Sequence, residues 1–240
     1  MAVKLINPLL EVKNKGMNLI NPFILNPLRS NLIAEWKFEG NANDSSGNGL
    51  GGTVTGSLTT VVGKVGNCYS FPGGANYVSI NDNDKFSFTD GSGTDKPFTF
   101  TFWMHTAGSG YVLSKYSSGS NAEYYLQPTA PYLTMYLTNP TQSTYLYTRV
   151  NYSAYYNTWV FVSVVYTGNN NESGITISLN GYTSTNTRGH GGTYLGMSNG
   201  TSKFYIGGNN IAGYTGLLDE VRLFNKALSL AEVNQVMNWS

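Results

Sequence analysis

The run Phe98-Thr99-Phe100-Thr101-Phe102-Trp103-Met104 alternates bulky apolar residues with threonine at a period of two. Successive side chains of a β-strand point to opposite faces, so this period puts Phe98, Phe100, Phe102 and Met104 on one core face. Trp103 then faces outward or into a second sheet. Ala34, Trp36 and Phe38 obey the same rule, with Glu35 and Lys37 on the opposite side. Thr158-Trp159-Val160-Phe161-Val162-Ser163-Val164-Val165-Tyr166 reads as a central strand, and Tyr77-Val78-Ser79-Ile80 as a strand after a Gly73-Gly74 turn. Asn180-Gly181 closes a hairpin that begins at Ile175, the strongest short hairpin signal in the chain. Gly, Asn, Ser and Pro clusters punctuate these runs, which is the rhythm of an all-β sandwich. One segment reads clearly as a helix: Ser229 and Glu232 form a capping box that starts a short C-terminal helix ending near Met237.

Composition narrows the function classes. The 240 residues are 40% hydrophobic but only 11% charged, and the net charge is +1. That balance gives no bulk electrostatic case for nucleic acid or a membrane surface. No apolar run approaches the ~20 residues of a membrane span. A single cysteine, Cys68, excludes an intramolecular disulfide and reads as buried and inert. No secretory signal is visible, because prolines interrupt the apolar N-terminus. A processed fragment, another export route or a virus protein released by lysis would each account for that.

Residues 1–30 break the strand rhythm. Leu5-Ile6-Asn7-Pro8-Leu9-Leu10 recurs as Leu19-Ile20-Asn21-Pro22-Phe23-Ile24, then partly as Leu25-Asn26-Pro27-Leu28. Proline fixes its own φ and biases the preceding residue toward extended conformations, so the segment cannot be one helix. Its four basic residues and one acid give +3, leaving −2 for residues 31–240. Such a segment suits an extended arm that docks apolar pegs into a larger assembly, with Ile6, Pro8, Ile20, Pro22, Phe23, Leu25 and Pro27 as the anchor. A flexible tail, or an extra strand packed on its own domain, is the plainer alternative.

The two ends of the body match each other. Leu32-Ile33-Ala34-Glu35-Trp36-Lys37-Phe38 runs into the polar turn Asp44-Ser45-Ser46-Gly47, and Leu218-Asp219-Glu220-Val221 stands just before the helix. Between them, in order, come Gly63-Lys64-Val65-Gly66-Asn67, Phe71-Pro72-Gly73, Phe102-Trp103-Met104, Asn157-Thr158-Trp159, Leu179-Asn180-Gly181 and Tyr205-Ile206-Gly207-Gly208. This series resembles the concanavalin A-like, laminin-G-like (pentraxin-related) jelly-roll family over residues 32 to 237, although Pro72 stands where an aspartate is usual. The resemblance implies a two-sheet antiparallel jelly-roll sandwich, preceded here by the arm and followed by the short helix. It also implies binding, of sugars or proteins, rather than catalysis.

Glu39, Asn41 and Asp44 cluster near the first turn, and Asp219 and Glu220 would approach them if the first and last strands pair as the family's do. Those hard oxygen donors would suit a structural calcium ion. The alternative is a hydrogen-bonded turn with Asp44 as its Asx residue. Two histidines and one cysteine supply no zinc set. The paired carboxylates of the family's endo-glucanases have no counterpart in this chain, so no catalytic residue is assigned. Tyrosines crowd the segment from Tyr111 to Tyr156, and Tyr145 and Tyr147 share a strand face. Tyrosine offers a flat apolar ring and a hydroxyl, so Tyr124, Tyr125, Tyr145 and Tyr147 are the candidate glycan or partner contacts. The expected function is a non-enzymatic bacteriophage virion protein, a capsid decoration or tail component. Its arm would hold other virion proteins in a homo-oligomeric assembly, and its lectin-like domain would face host-surface polysaccharide. A bacterial carbohydrate-binding module or cell-surface adhesin is the alternative.

Overall fold

Sixteen strands grow from the period-two segments of the computed structural model, which describes residues 27–239 other than 107, 120 and 184. The chain divides after Ser30, and Asn31–Ser240 is described by itself. Ile6, Pro8, Ile20, Pro22, Phe23 and Leu25 lie outside the described residues. Pro27 opens a 3-10 turn, Pro27–Asn31, closed by the Ser30 hydroxyl donating to the Pro27 carbonyl at 2.8 Å.

The strands are β1 (Leu32–Trp36), β2 (Thr53–Thr55), β3 (Thr59–Val62), β4 (Asn67–Pro72), β5 (Tyr77–Ile80), β6 (Phe98–His105), β7 (Leu113–Tyr116) and β8 (Ala122–Thr129). They continue with β9 (Tyr132–Asn139), β10 (Thr144–Asn151), β11 (Val160–Tyr166), β12 (Ile175–Leu179), β13 (Tyr182–Thr183), β14 (Thr187–Gly191), β15 (Phe204–Ile206) and β16 (Thr215–Phe224). One antiparallel sheet runs β13-β12-β11-β6-β16-β4-β3, with β1 also paired to β16. The other runs β14-β10-β9-β8-β7-β15-β5-β2. The result is a jelly-roll sandwich, and the first and last strands do pair.

The core lies between the two sheets. Phe98, Phe100, Phe102 and Met104 are fully buried on one side of β6, as their alternation requires. Tyr124, Leu126, Met135, Leu137 and Leu146 meet them from the other sheet. Trp103 points away from this core, packing edge-on against Phe161 with the Lys64 ammonium over its ring. Trp36 is buried whole, stacks on Phe86 and Phe204, and donates its indole N–H to the Leu50 carbonyl at 3.0 Å. At the β12–β13 turn Asn180 and Gly181 both take positive φ, +50° and +75°, the twist a two-residue hairpin needs. The capping box of the C-terminal helix, Leu230–Met237, forms with both reciprocal bonds.

Candidate functional site

Strand register sets the chemistry of the solvent face of the second sheet. One row of opposed residues crosses all eight strands: Thr53, Ser79, Tyr205, Ser114, Tyr125, Tyr136, Tyr147 and Gly189. Three consecutive tyrosines in that row make an aromatic floor. Tyr125 and Tyr136 stack with centroids 4.8 Å apart, and Tyr136 lies 5.9 Å from Tyr147 and 6.0 Å from Tyr145. Tyr116 and Tyr111 extend the floor from Tyr125 at 5.6 and 5.0 Å. Offset and tilted rings at these spacings attract one another, so the floor is held in place before anything binds.

Two glycines make room for it. Gly189 and Gly191 of β14 lie opposite Tyr147 and Tyr145. A Cβ at Gly191 would stand 2.4 Å from the Tyr145 ring, and one at Gly189 would stand 2.6 Å from Tyr147. Both rings therefore lie flat across bare backbone.

The β7–β8 and β9–β10 turns rise at the same end of the sheet, because β7 and β9 run in the same direction. Between them the floor becomes a groove of about 480 Å³, lined by Tyr116, Tyr125, Tyr136 and Tyr145 together with Thr138, Pro140 and Ser143. Among the described residues none that lines it is charged. Burial pushes the Tyr125 and Tyr136 phenols up, and neighbouring tyrosines push them further. They stay protonated at neutral pH and can donate as well as accept. A neutral aromatic groove with hydroxyl groups on its walls suits an uncharged ligand that has an apolar face and its own hydroxyls.

The candidate tyrosines divide by strand face. Tyr125, Tyr145 and Tyr147 belong to the floor, and Tyr145 is 40% exposed. Tyr124 does not: it is 0% exposed, contacts Phe98 and Phe100, and donates its hydroxyl to the Phe86 carbonyl at 2.8 Å. Consecutive residues on a strand face opposite ways, so Tyr124 and Tyr125 could not both reach solvent. Tyr136, at the centre of the floor, was missing from the candidate set. Pairing β8 with β9 through their short turn would have placed it opposite Tyr125.

The candidate calcium ligands do not meet as one donor set. The Asp44 carboxylate accepts from the backbone N–H groups of Glu35 (3.1 Å), Ser46 (2.8 Å) and Leu50 (2.9 Å), the Asx arrangement. Burial alone would raise its pKa, but these donors outweigh burial and hold it below the usual range. Asn41 Oδ1 accepts from the Asn43 N–H, and Glu39 grips the Asn67 backbone and side-chain N–H groups. Glu220 pairs with Arg222, which also donates through Nε to Glu35 at 2.7 Å. Asp219 Oδ2 accepts from the Lys64 and Val65 N–H groups at 2.8 and 2.9 Å, while its Oδ1 is buried without a partner. Among the described residues no three His, Cys, Asp or Glu side chains converge to hold a metal. The Cys68 thiol lies near this seam, and burial raises its pKa to about 12, ahead of the charges of Asp219 and Glu39.

Asp219 has a measurable consequence. Burial, then the Glu220 charge, push its carboxyl up to about 7 against the pull of the Val65 and Lys64 N–H groups. Burial likewise raises Asp95, Glu123 and Glu220. A raised carboxyl stabilises the fold below its unfolded pKa, and that stability is lost as pH rises through the folded value. The melting temperature is therefore expected to fall between pH ~4.5 and ~8, and Asp219→Asn to shrink the fall by roughly 3–6 °C. Thermal melts across that range check it, and an unchanged slope in the variant would refute it.

A laminin-G-like family model, described as the concanavalin A-like lectin/glucanases superfamily, matches residues 72–234. A search of curated proteins found no match. Among solved structures, the binding domain of Paraclostridial Mosquitocidal Protein 1 aligns with TM-score 0.66 and 15% identity, over 88% of this chain and 52% of that one. The binding domain of botulinum neurotoxin DC, in complex with rat synaptotagmin II, aligns with TM-score 0.67 and 15% identity over the same shares. Domain 4 of AbnA, a GH43 extracellular arabinanase from Geobacillus stearothermophilus, in complex with arabinotriose, aligns with TM-score 0.59 and 16% identity, over 86% of this chain and 98% of that one. The chain thus spans about half the length of the toxin chains. At these identities the likeness is one of fold.

Proposed function

Because the chain belongs to the concanavalin A-like lectin/glucanases superfamily, we propose that it is a non-catalytic glycan-binding domain whose site is the tyrosine groove of the second sheet. The observation that carries this is the solvent-facing row Tyr125, Tyr136 and Tyr147, with Tyr145 beside it and two glycines beneath. Sugar rings present an apolar face of axial C–H groups and a rim of hydroxyls, which this floor and its rim can meet together. Among the described residues no carboxylate, histidine or cysteine lines the groove. The arabinotriose complex of the arabinanase domain supports a glycan as the ligand class.

The setting we propose is display on a phage particle, as capsid decoration or tail component, with residues 1–30 as the anchor to other virion proteins and host polysaccharide as the target. The Asn-Pro-punctuated apolar repeats and the +3 charge of that segment support it. A bacterial carbohydrate-binding module or adhesin is the second reading, favoured by the arabinanase likeness. A glycan array run with full-length and 1–30-deleted protein, beside a measurement of assembly size, tests both. Selective binding that survives deletion supports the groove as the site, and assembly lost on deletion supports the anchor. An array silent for both proteins removes the glycan reading.

Gly191→Ala gives a local test. The added methyl lands 2.4 Å from the Tyr145 ring, and Gly191 does not have a positive φ, so the ring must yield rather than the backbone. Binding of the array's strongest neutral glycan is expected to weaken by about fivefold, with the melting temperature nearly unchanged. Calorimetric titration beside a thermal melt reads both.

A further inference from the structure

We propose that the site continues over the β9–β10 turn into a second, uncharged cleft, so that the ligand is a neutral oligosaccharide chain rather than a single terminal sugar. This rests on the tyrosine groove being a glycan site. The turn is a shared wall. Thr138, Pro140, Ser143 and Thr144 face the groove, while Asn139, Thr141 and Gln142 face a neighbouring cleft of about 740 Å³. Two loops, 91–93 and 194–199, close the cleft from the far side.

The cleft is built rather than left over between mobile loops. Beneath it the Asp95 carboxylate takes the hydroxyls of Tyr166 and Tyr194, each at 2.8 Å, and the Met197 N–H at 2.8 Å. Asn170 ties the same region together, donating to the Gly93 carbonyl at 2.6 Å and accepting from the Asp95 N–H at 3.1 Å. Asn139 donates to the Gly196 carbonyl at 2.9 Å, which fixes the shared wall to the 194–199 loop. Buried Asp95 and Asn139, with half-buried Asn170, thus hold these loops to one another and to the shared wall, and a preorganised site loses less entropy on binding.

Its chemistry selects the ligand class. Among the described residues no Lys, Arg, Asp or Glu lines the cleft, so these walls offer a charged group no compensation for lost water. The side-chain amides of Gln142 and Asn199 reach solvent and make no hydrogen bond among the described residues. Leu195, 55% exposed, supplies an apolar ledge on the rim. Free amide donors and acceptors beside one apolar ledge suit a second hydroxyl-rich ring, and the shared wall makes the two volumes contiguous.

The test uses full-length protein titrated with malto-, cello-, xylo- and arabino-oligosaccharides, each from monosaccharide to hexasaccharide. For the ladder that binds, affinity is expected to rise with length and then level off. Gln142→Ala combined with Asn199→Ala is expected to lose about tenfold for the longest members, the worth of two neutral hydrogen bonds, and nothing for the shortest that binds. Tyr136→Ala is expected to weaken every length. Length-independent affinity, or a double variant equal to wild type throughout, overturns the second cleft and leaves the tyrosine groove standing. Tyr136→Ala without effect at any length, or no binding to any ladder, overturns the groove and the cleft with it. Both cleft residues are exposed, and a thermal melt confirms that the double variant remains folded.

Discussion

Tyr136→Ala is expected to weaken glycan binding by about thirtyfold or more, the loss of a central aromatic contact worth ~2 kcal/mol. Tyr136 is the ring that joins Tyr125 to the Tyr145 and Tyr147 side of the floor. Tyr136 stacks on Tyr125 at 4.8 Å and meets Tyr145 and Tyr147 within about 6 Å, so its removal both opens a gap and frees three neighbours to tilt. Tyr136→Phe keeps the ring and loses only the hydroxyl, and should cost less than about tenfold. The pair of variants separates stacking from hydrogen bonding. Truncation of a half-buried surface ring should cost the fold only ~1–2 kcal/mol. Titration calorimetry with the best array glycan reads the affinity, and full binding by Tyr136→Ala would mean that this face is not the site.

Lys115→Met is expected to cost about 3–5 kcal/mol of stability at pH ~8, because it strands a buried carboxylate. Lys115 and Glu123 are both fully buried, with Nζ 2.6 Å from Glu123 Oε1, 2.8 Å from Asp82 and 2.8 Å from the Gly200 carbonyl. Glu123 also accepts from the Gly200 N–H and the Ser87 hydroxyl, so the cluster pins the loop before β15 to β7 and β8. Burial raises the Glu123 carboxyl to about 7 even with the Lys115 charge beside it. Without that charge its folded pKa climbs further above the unfolded one. Protonation then relieves the variant in acid, and its deficit should shrink from pH ~8 to ~5. Lys115→Met with Glu123→Leu should recover most of the loss, since both charges are gone and Asp82 still reaches solvent. Denaturant titrations at both pH values check this, and a deficit independent of pH would exclude the stranded carboxylate as its cause.

What the sequence revealed and what it hid divide along physical lines. β6 writes its core face as an alternation of bulky apolar residues with threonine, and β11, buried on both faces, as a continuous apolar run, so both were readable, as were the Asn180-Gly181 turn and the Ser229–Glu232 capping box. The pairing of the first and last strands came with the family resemblance. Alternation cannot say which of two adjacent tyrosines faces out when both residues suit both faces, and Tyr124 was therefore misplaced. Proximity of carboxylates in sequence says nothing of what their oxygens accept. Asp44 spends its oxygens on three local N–H groups, and Asp219 reaches back to the 64–65 backbone across the sheet. The loops around the polar cleft leave no periodic trace, because side chains such as Asp95 and Asn170 organise them from a distance of seventy residues or more.

The outermost strands of both sheets are short. β13 and β3 bound one sheet with two and four residues, and β2 and β14 bound the other with three and five. β14, the longest, carries Arg188 and His190 between residues that include two glycines. An outermost strand offers unpaired N–H and C=O groups to any neighbouring molecule, and brevity and charge are what blunt that template. Copies of this domain crowded together therefore have little backbone through which to zip into fibres, and can be packed densely while each keeps its tyrosine face free.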